Sequence, residues 1–269
     1  PSLFKKSDKE EANKQSRFHF CQMNVYHLAY DRTAESVDIH FWTKCSFSCR
    51  SCYVPYNYID FGLFDDPFSS LNGPPAKTPD KPFLSLDKVL ELLSPYKIKS
   101  SVFVGTEPSL DKEMPGLAQQ LHALHNSYNI LLTNGYLLPD ITDIDEMIVS
   151  LKAFTPDVHR FYTGRENKNV LDNFKTVYQS GKKLQAETVL IPGLIEEDEI
   201  VKIASFVSSI DSNIPLRIDA YFPVGDNPWP AAESLRVQNA AEMARKYLNT
   251  VNCLTLDMKR IGEKPLRLY

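Results

Sequence analysis

Three cysteines within eight residues, Cys45, Cys49 and Cys52, constrain this chain more than any other feature. Their thiols can approach one centre only if the backbone coils into a loop. Residues 37–43 are β-branched and aromatic, which predicts a strand that ends at this loop. Soft thiolates suit zinc or an iron–sulfur cluster. Structural zinc normally takes four protein ligands, and neither a fourth cysteine nor a pair of histidines stands near the loop, which favours a cluster.

The spacing Cys-x3-Cys-x2-Cys at the end of a first strand resembles the radical SAM superfamily. The resemblance implies a [4Fe-4S] cluster on Cys45, Cys49 and Cys52, whose open iron is chelated by the amine and carboxylate of S-adenosylmethionine. It also implies that an electron from the cluster cleaves the sulfonium and releases a 5′-deoxyadenosyl radical. Members usually carry an aromatic residue just before the third cysteine, whereas this chain has Ser51 there and Tyr53 after it. We therefore expect Tyr53 to contact the cosubstrate.

The rest of the chain alternates strand-like and helix-like segments, which predicts parallel βαβ units. Strands are predicted at residues 37–43, 101–108, 129–135, 146–152, 184–192 and 216–222, and helices at 85–94, 117–128, 169–180, 196–209 and 231–248. Six such units make an α/β partial (βα)6 TIM-type barrel, the fold that the resemblance also implies. Residues 18–30 alternate loosely and predict a hairpin partner for the first strand, which gives an N-terminal β extension.

Neither an internal repeat nor a linker divides this barrel. We predict a flexible lead-in at residues 1–16, which are rich in lysine, glutamate and serine. Residues 17–250 are predicted to form the radical SAM core domain, and residues 251–269 a C-terminal extension.

In such barrels the active site lies at the carboxyl ends of the strands. Gly105-Thr106-Glu107-Pro108 looks like the family's Gly-Gly-Glu-Pro motif, in which a carboxylate or a main-chain carbonyl accepts hydrogen bonds from the methionine ammonium. The resemblance gives this role to Glu107. No catalytic residue is expected beyond the cluster and its cosubstrate.

Later strand ends carry further motifs of the same resemblance. Residues 133–135 resemble a motif that contacts the ribose or the carboxylate, residues 150–152 match an Asp-x-Lys motif with serine in place of aspartate, and residues 189–195 resemble a stretch that packs the adenine. The residues predicted to bind the cosubstrate are Tyr53, Gly105, Thr106, Glu107, Thr133, Asn134, Ser150, Lys152, Glu187 and Ile191.

Within the superfamily, the chain is most similar to the glycyl-radical-enzyme activating enzymes, typified by the pyruvate formate-lyase activating enzyme. The similarity runs from about residue 38 to 223 and includes residues 157–164, 183–193 and 219–223. Leu132 and Ser150 replace two aspartates that are associated in that enzyme with a monovalent cation. Glu187 replaces an arginine that lines its pocket.

Composition excludes several other classes of protein. The chain has 269 residues and a net charge of −4, which argues against non-specific binding to nucleic acid or to anionic membranes. No apolar run is long enough to span a bilayer and the first residues lack a secretory signal, so we expect a reducing cytoplasm. Beyond the triad there are only Cys21 and Cys253, too few for an auxiliary cluster.

Residues 54–83 contain six prolines, two glycines and several aromatic residues. Such a long segment beside the cysteines predicts a lid or a substrate wall, with a surface loop as the alternative.

The sequence as a whole leaves three candidate functions. They are an activase that acts on a backbone glycine of a partner enzyme, an enzyme that acts on a small molecule, peptide or side chain under this loop, and a structural metal-binding module. The resemblance also implies reduced flavodoxin or ferredoxin as the electron donor, and we expect a monomer.

Overall fold

A computed structural model describes residues 23–65, 79, 81–259 and 262–269. These residues form nine strands and six α-helices, and helices separate most of the parallel strands. The strands are β1 (Val25–Asp31), β2 (Ser36–Phe41), β3 (Ser100–Gly105), β4 (Tyr128–Thr133), β5 (Glu146–Ser150), β6 (Lys183–Leu190), β7 (Leu216–Ala220), β8 (Val251–Leu254) and β9 (Leu266–Arg267). The helices are α1 (Leu86–Leu93), α2 (Met114–His125), α3 (Pro156–Thr163), α4 (Lys168–Gln179), α5 (Glu197–Ser208) and α6 (Ser234–Ala244).

The strands form one open sheet in the order β8-β7-β6-β5-β4-β3-β2-β1-β9. Strands β2 to β8 are parallel to one another, and β1 is antiparallel to both β2 and β9. Each successive parallel strand is added on the same side, so right-handed crossovers place the helices on one face. The predicted partial barrel with an N-terminal β extension is confirmed.

Side-chain alternation explains why the sheet has two different faces. In β2, Val37, Ile39 and Phe41 are fully buried, whereas the residues between them are only partly covered. The buried set packs with helix residues such as Leu93 and Leu117 in one hydrophobic core. Because successive side chains of a strand point to opposite faces, the second set faces the concave side of the open barrel.

Several predicted boundaries differ from the structure. Helix α2 was expected at residues 117–128, but it begins at Met114 and ends where Asn126 adopts a left-handed conformation with φ 51°. Strand β8 is a seventh parallel strand, and β8 and β9 show that residues 251–269 supply both edges of the sheet. The predicted lead-in at residues 1–16 lies outside the described residues, and the domain boundaries stay predictions.

Helix α3 was not among the predicted helices. It begins with Pro156, directly after Thr155, and ends at Gly164, which has φ 76°. Proline at the first helical position and glycine after the last one are a recognised pair of helix signals.

None of the helices in the part of the chain that the structure describes has the length and apolarity needed to cross a membrane.

Candidate active site

The carboxyl ends of the parallel strands and the cysteine loop, residues 43–53, surround a cavity of about 270 Å³. This volume lies near the lower end of the range typical of small-molecule sites. The residues predicted to bind the cluster or the cosubstrate line it, with one exception. They are Cys45, Cys49, Cys52, Tyr53, Gly105, Thr106, Glu107, Thr133, Asn134, Ser150, Lys152 and Glu187.

Ile191 is the exception. It is fully buried and is not among the residues that line the cavity. Strand β6 ends at Leu190, and the backbone of Ile191 then pairs with Ile195 through hydrogen bonds of 3.0 and 2.8 Å. This turn ends the alternation that places Glu187 and Val189 on the cavity wall, so Val189 is the apolar residue of this stretch that lines it.

The inner end of the cysteine loop is fastened to the end of β3. The Thr43 amide donates to Thr106 Oγ1 at 2.7 Å, and the Thr43 hydroxyl donates to the carbonyl of Glu107 at 2.6 Å. In return, the Thr106 amide donates to the carbonyl of Phe41 at 2.9 Å. The Thr106 side chain, where the family motif has glycine, therefore holds the start of the loop.

The outer side of the loop is docked on the last turn of α3. The Ser48 amide donates to the carbonyl of Thr163 at 2.8 Å, and the Arg50 amide donates to the carbonyl of Tyr162 at 3.0 Å. The hydroxyls of Ser51 and Tyr162 lie 2.6 Å apart, and Tyr162 itself lines the cavity. These bonds satisfy carbonyls that a helix end leaves free, and they fix the loop between β2 and α3.

The three thiols surround a common space. Burial raises the pKa of each one, that of Cys49 to about 12, so these thiols need a nearby cation to ionise. Among the residues described, no three histidine, cysteine, aspartate or glutamate side chains converge closely enough to hold a single metal ion. In a cluster each thiolate binds its own iron, so thiols around a cavity suit a cluster better than one zinc ion.

Glu107 is a buried carboxylate that holds β3 and β4 together. Its oxygens accept hydrogen bonds from the Thr133 hydroxyl at 2.6 Å, from the Asn134 amide at 2.9 Å and from the Ser109 amide at 3.3 Å. Burial raises its pKa in spite of these donors. A carboxylate has about four acceptor positions, so Glu107 can accept about one further hydrogen bond from a ligand.

Asn134 connects this carboxylate to the cysteines. Its side-chain amide donates to Ser46 Oγ at 3.0 Å and lies 3.5 Å from Cys45 Sγ. Its backbone amide is the one that binds Glu107. The end of β4 is therefore in contact with both the cysteine loop and the end of β3.

Lys152 brings a cation to the cavity. Burial acts to lower its pKa, but Tyr162, Cys49, Glu187 and Cys52 outweigh that effect in their ionised forms and raise the pKa. The charge of Lys152 and ionised thiols in this cavity therefore stabilise each other.

The far wall carries a network of opposite charges on β5, β6 and β7. The Ser150 hydroxyl donates to Glu187 Oε1 at 3.0 Å, and Arg217 pairs with Glu187 and, at 2.9 Å, with Asp219. Burial, followed by the charge of Glu187, raises the pKa of Asp219 to about 6. Leu132 also lines this cavity, so positions 132 and 150 together offer no pair of carboxylates for a cation.

Aromatic side chains border the cavity beside Tyr53. The ring of Phe61 lies 4.7 Å from that of Tyr53 and 5.8 Å from that of Phe222, between ring centroids. Phe61 belongs to the described start of the predicted lid, and this start is fixed to β2 because Asp60 lies 3.1 Å from His40 Nε2. Residues 66–78 and 80 of the predicted lid lie outside the described residues.

Sequence reasoning missed several residues that line the cavity, among them Tyr162, Arg217 and Asp219. The sequence did contain a signal for Arg217 and Asp219. They alternate with Leu216, Ile218 and Ala220 in an otherwise apolar strand, and charged residues at such positions of a buried parallel strand indicate a polar lumen.

A family model of the radical SAM superfamily matches residues 39–207, more than half of the chain. The chain therefore belongs to this superfamily and is a radical SAM enzyme, with a [4Fe-4S] cluster and S-adenosylmethionine as its cofactors. The superfamily, the enzyme class and the two cofactors predicted from the sequence are confirmed.

Comparison with individual proteins shows which members of the superfamily the chain is similar to. Over 186 residues the chain is 36% identical to a protein of Methanocaldococcus jannaschii provisionally named as a glycyl-radical enzyme activating enzyme, which covers 65% of this chain and 70% of that one. It is 29% identical over 90 residues to the pyruvate formate-lyase-activating enzyme of Streptococcus mutans, which covers 33% of this chain and 34% of that one. The solved structure of Streptococcus suis SuiB bound to S-adenosylmethionine shares the fold, with a TM-score of 0.58 at 14% identity over 78% of this chain and 48% of that one.

Proposed function

We propose that this protein is an activating enzyme that takes a hydrogen atom from a backbone glycine of a partner glycyl radical enzyme. The observation that carries the proposal is the single cavity in which the three cysteines meet the polar strand ends. Two further points support this class of partner. The sequence has too few cysteines for an auxiliary cluster, and the Methanocaldococcus relative carries the name of such an enzyme.

Each part of the cavity wall has a proposed role. Cys45, Cys49 and Cys52 would hold the cluster. When bound, the cluster and its cosubstrate supply a one-electron cleavage that releases methionine and a 5′-deoxyadenosyl radical able to take a hydrogen atom. The remaining acceptor position of Glu107 would bind the methionine ammonium, and the protonated Lys152 its carboxylate.

The other predicted contacts complete the cosubstrate site. Thr133 and Asn134 would bind its polar groups at the end of β4. Tyr53 and Val189 would contact its adenosyl part, and the backbone of Gly105 would border it beside Thr106. We propose that Ser150 acts through Glu187, to which its hydroxyl donates a hydrogen bond.

The charges of the cavity favour an uncharged substrate group. Arg217 is neutralised by Glu187 and Asp219, and Lys152 is assigned to the cosubstrate. The described part of the wall therefore keeps no cation to spare for a phosphate group. A backbone glycine is small and neutral, so it suits this wall.

A second candidate is an enzyme that acts directly on an uncharged small molecule, peptide or side chain. The packing of Phe61 against Tyr53 and Phe222 favours it, because this contact fixes the start of the 54–83 segment beside two residues that line the cavity. Both candidates share the same cluster and cosubstrate, so the nature of the substrate separates them.

The decisive experiment follows the substrate hydrogen. Anaerobically reconstituted protein is reduced with dithionite and incubated with S-adenosylmethionine and a glycyl radical enzyme labelled with α-deuterated glycine. We expect a glycyl radical signal in the electron paramagnetic resonance spectrum and deuterium in the 5′-deoxyadenosine. With unlabelled glycine the signal should be a doublet, split by the one remaining α-hydrogen, and with α-deuterated glycine this splitting should collapse. The variant with alanine at Cys45, Cys49 and Cys52 serves as the control and is expected to bind no cluster.

Two results would contradict different parts of the proposal. If 5′-deoxyadenosine forms without deuterium and without a glycyl radical across candidate partners, the activase assignment is wrong and the second candidate takes its place. If the triple-alanine variant keeps its iron, the assignment of the three ligands is wrong.

A further inference from the structure

The cysteine loop is itself part of the protein surface. Lys44, Ser48 and Arg50 are exposed, and Cys45 is exposed although it also lines the cavity. On the proposed function, this loop carries the cluster, which must receive an electron from outside the protein. The exposed side of the loop offers a short route for that electron.

Two arginines flank the loop, and each is packed on an aromatic ring. The guanidinium carbon of Arg50 lies 4.2 Å from the ring centroid of Phe161, and that of Arg165 lies 5.9 Å from that of Tyr136. Both side chains are also fixed to backbone: Arg50 Nε donates to the carbonyl of Phe161 at 2.9 Å, and Arg165 Nε donates to that of Ser46 at 3.2 Å. These arginines are therefore ordered before any partner binds.

Apolar surface accompanies the two arginines. Phe161 is 52% exposed and Leu137, next to Tyr136, is 46% exposed. Arginine and aromatic residues are the types enriched in protein–protein interfaces, and ordering them in advance reduces the entropy lost on binding. We use the name arginine–aromatic patch for Lys44, Arg50, Tyr136, Leu137, Phe161 and Arg165.

The positive charges of this patch are not neutralised within the described part of the chain, where Lys44, Arg50 and Arg165 form no ion pair with a carboxylate. Arg160, on the same helix as Phe161, shows the opposite case, because it pairs with both Asp157 and Glu166. The whole chain has a net charge of −4, so the patch differs in sign from the average surface. Such a patch attracts an acidic partner.

We propose that the arginine–aromatic patch is the docking surface of a small acidic one-electron carrier protein. The inference rests on the proposed function, since it requires a cluster on the cysteine loop. One electron passes from the reduced carrier to the cluster, the carrier is oxidised, and no atom is transferred. Docking on this patch places the redox group of the carrier over the loop that bears the three cysteines.

The test measures cluster reduction by stopped-flow absorption, with reduced flavodoxin as the probe and the reconstituted holoenzyme as the acceptor. In the variant Arg50→Gln with Arg165→Gln, we expect the second-order rate constant at low salt to fall about tenfold or more, and its dependence on salt to weaken. Lys44→Gln makes a milder second variant, because Lys44 forms no described hydrogen bond that holds the loop, and we expect about a threefold loss from the same steering effect. Iron content and the rate of reduction by dithionite should stay unchanged in both.

Two controls separate local charge from general effects. Arg160→Gln with Glu166→Gln removes an ion pair on and beside α3 at constant net charge, and we expect the wild-type rate. Lys246→Glu changes the net charge as much as the double arginine variant, but after α6 and without an ion pair to lose among the described residues. At about 0.15 M salt its rate should also stay within about twofold of the wild type, because exposed charges beyond the Debye length of about 8 Å are then largely screened.

Unchanged reduction by flavodoxin in the Lys44 and arginine variants would overturn the proposal. It would also be overturned if these variants lowered glycyl radical formation by enzyme already reduced with dithionite, because the patch would then bind the substrate protein. If the wild-type protein assembles no cluster, the proposed function fails and this inference fails with it.

Discussion

Gly105 stands where the ends of β2 and β3 approach each other. Its φ is +120°, and a Cβ atom at this position would lie 2.2 Å from the carbonyl oxygen of Phe41. That neighbour is backbone, so it cannot turn away as a side chain could. The conformational freedom of glycine is therefore needed at the start of the cysteine loop.

We predict that Gly105→Ala separates the ends of β2 and β3 and lowers the free energy of unfolding by about 2 kcal/mol or more. Urea unfolding measures this change. Gly116→Ala is the matched control, because a Cβ atom there meets nothing within 4 Å and alanine favours the helix α2. Equal stability of the two variants would show that the contact between Gly105 and Phe41 relaxes freely.

Glu107 combines a structural role with the proposed ligand contact. In Glu107→Ala, the Thr133 hydroxyl and the Asn134 amide lose their acceptor, and a bound methionine ammonium loses a charge-assisted partner. We expect cosubstrate binding to weaken by about 1.5–3 kcal/mol, measured by calorimetric titration, while the iron content is retained.

The variant Glu107→Gln separates the two roles of this residue. Its amide oxygen can still accept one of the hydrogen bonds from β4, but it carries no negative charge. We expect the unfolding free energy to recover more than the cosubstrate affinity does. Wild-type affinity in both variants would leave Glu107 as a purely structural residue.

The cysteine loop shows which part of the site the sequence could predict. The three cysteines and the strand before them are local patterns, and the positions of Glu107 and Asn134 follow from their places at strand ends. The support from α3 could not be predicted in the same way. The contacts of Ser48 with Thr163 and of Ser51 with Tyr162 join residues more than a hundred positions apart.

The network of opposite charges on β5, β6 and β7 shows the same limit of prediction from sequence. Glu187 and Arg217 meet because the register of β6 and β7 pairs them directly. Each residue alone is an ordinary charged residue in a strand, and register depends on the packing of both faces rather than on either segment. The fold class followed from alternation of segments, whereas strand β8 and the pairing of β9 with β1 depend on distant contacts.

The segment at residues 54–65 gives a test of the cavity wall. We predict that Phe61→Ala leaves the iron content unchanged and loosens Tyr53 and Phe222, the two cavity-lining rings on which Phe61 packs. A radical site that admits water or stray hydrogen donors loses coupling, so 5′-deoxyadenosine should form in excess over product. Chromatographic measurement of both products gives the ratio.

Tyr247→Ala is a suitable control for Phe61→Ala, because Tyr247 is an exposed aromatic residue with no described ring contact to a residue of the cavity wall. It should keep the wild-type ratio of 5′-deoxyadenosine to product. The same ratio in the Phe61 variant would mean that this segment does not shield the reaction.

Strand β9, the last in the chain, pairs with β1 at the edge of the sheet opposite to β8. The Leu268 amide donates to the carbonyl of Leu28 at 2.9 Å, and His27 Nδ1 lies 2.6 Å from the backbone oxygen of Tyr269. The Tyr269 hydroxyl donates to the carbonyl of Pro82 at 2.7 Å. Residues 262–269 therefore cover the edge of β1 and hold the chain where the predicted lid ends.

Two truncations should separate stability from cosubstrate binding. Removing residues 262–269 uncovers β1, so we expect a lower unfolding midpoint and faster hydrogen exchange in β1, because an edge strand loses partners for its amides. Cosubstrate affinity should be kept, since these residues do not line the cavity. Removing residues 251–269 also uncovers β7, which carries Arg217 and Asp219, and here the affinity should fall as well. Loss of affinity in the shorter truncation would mean that the two edges of the open sheet are coupled through the cavity.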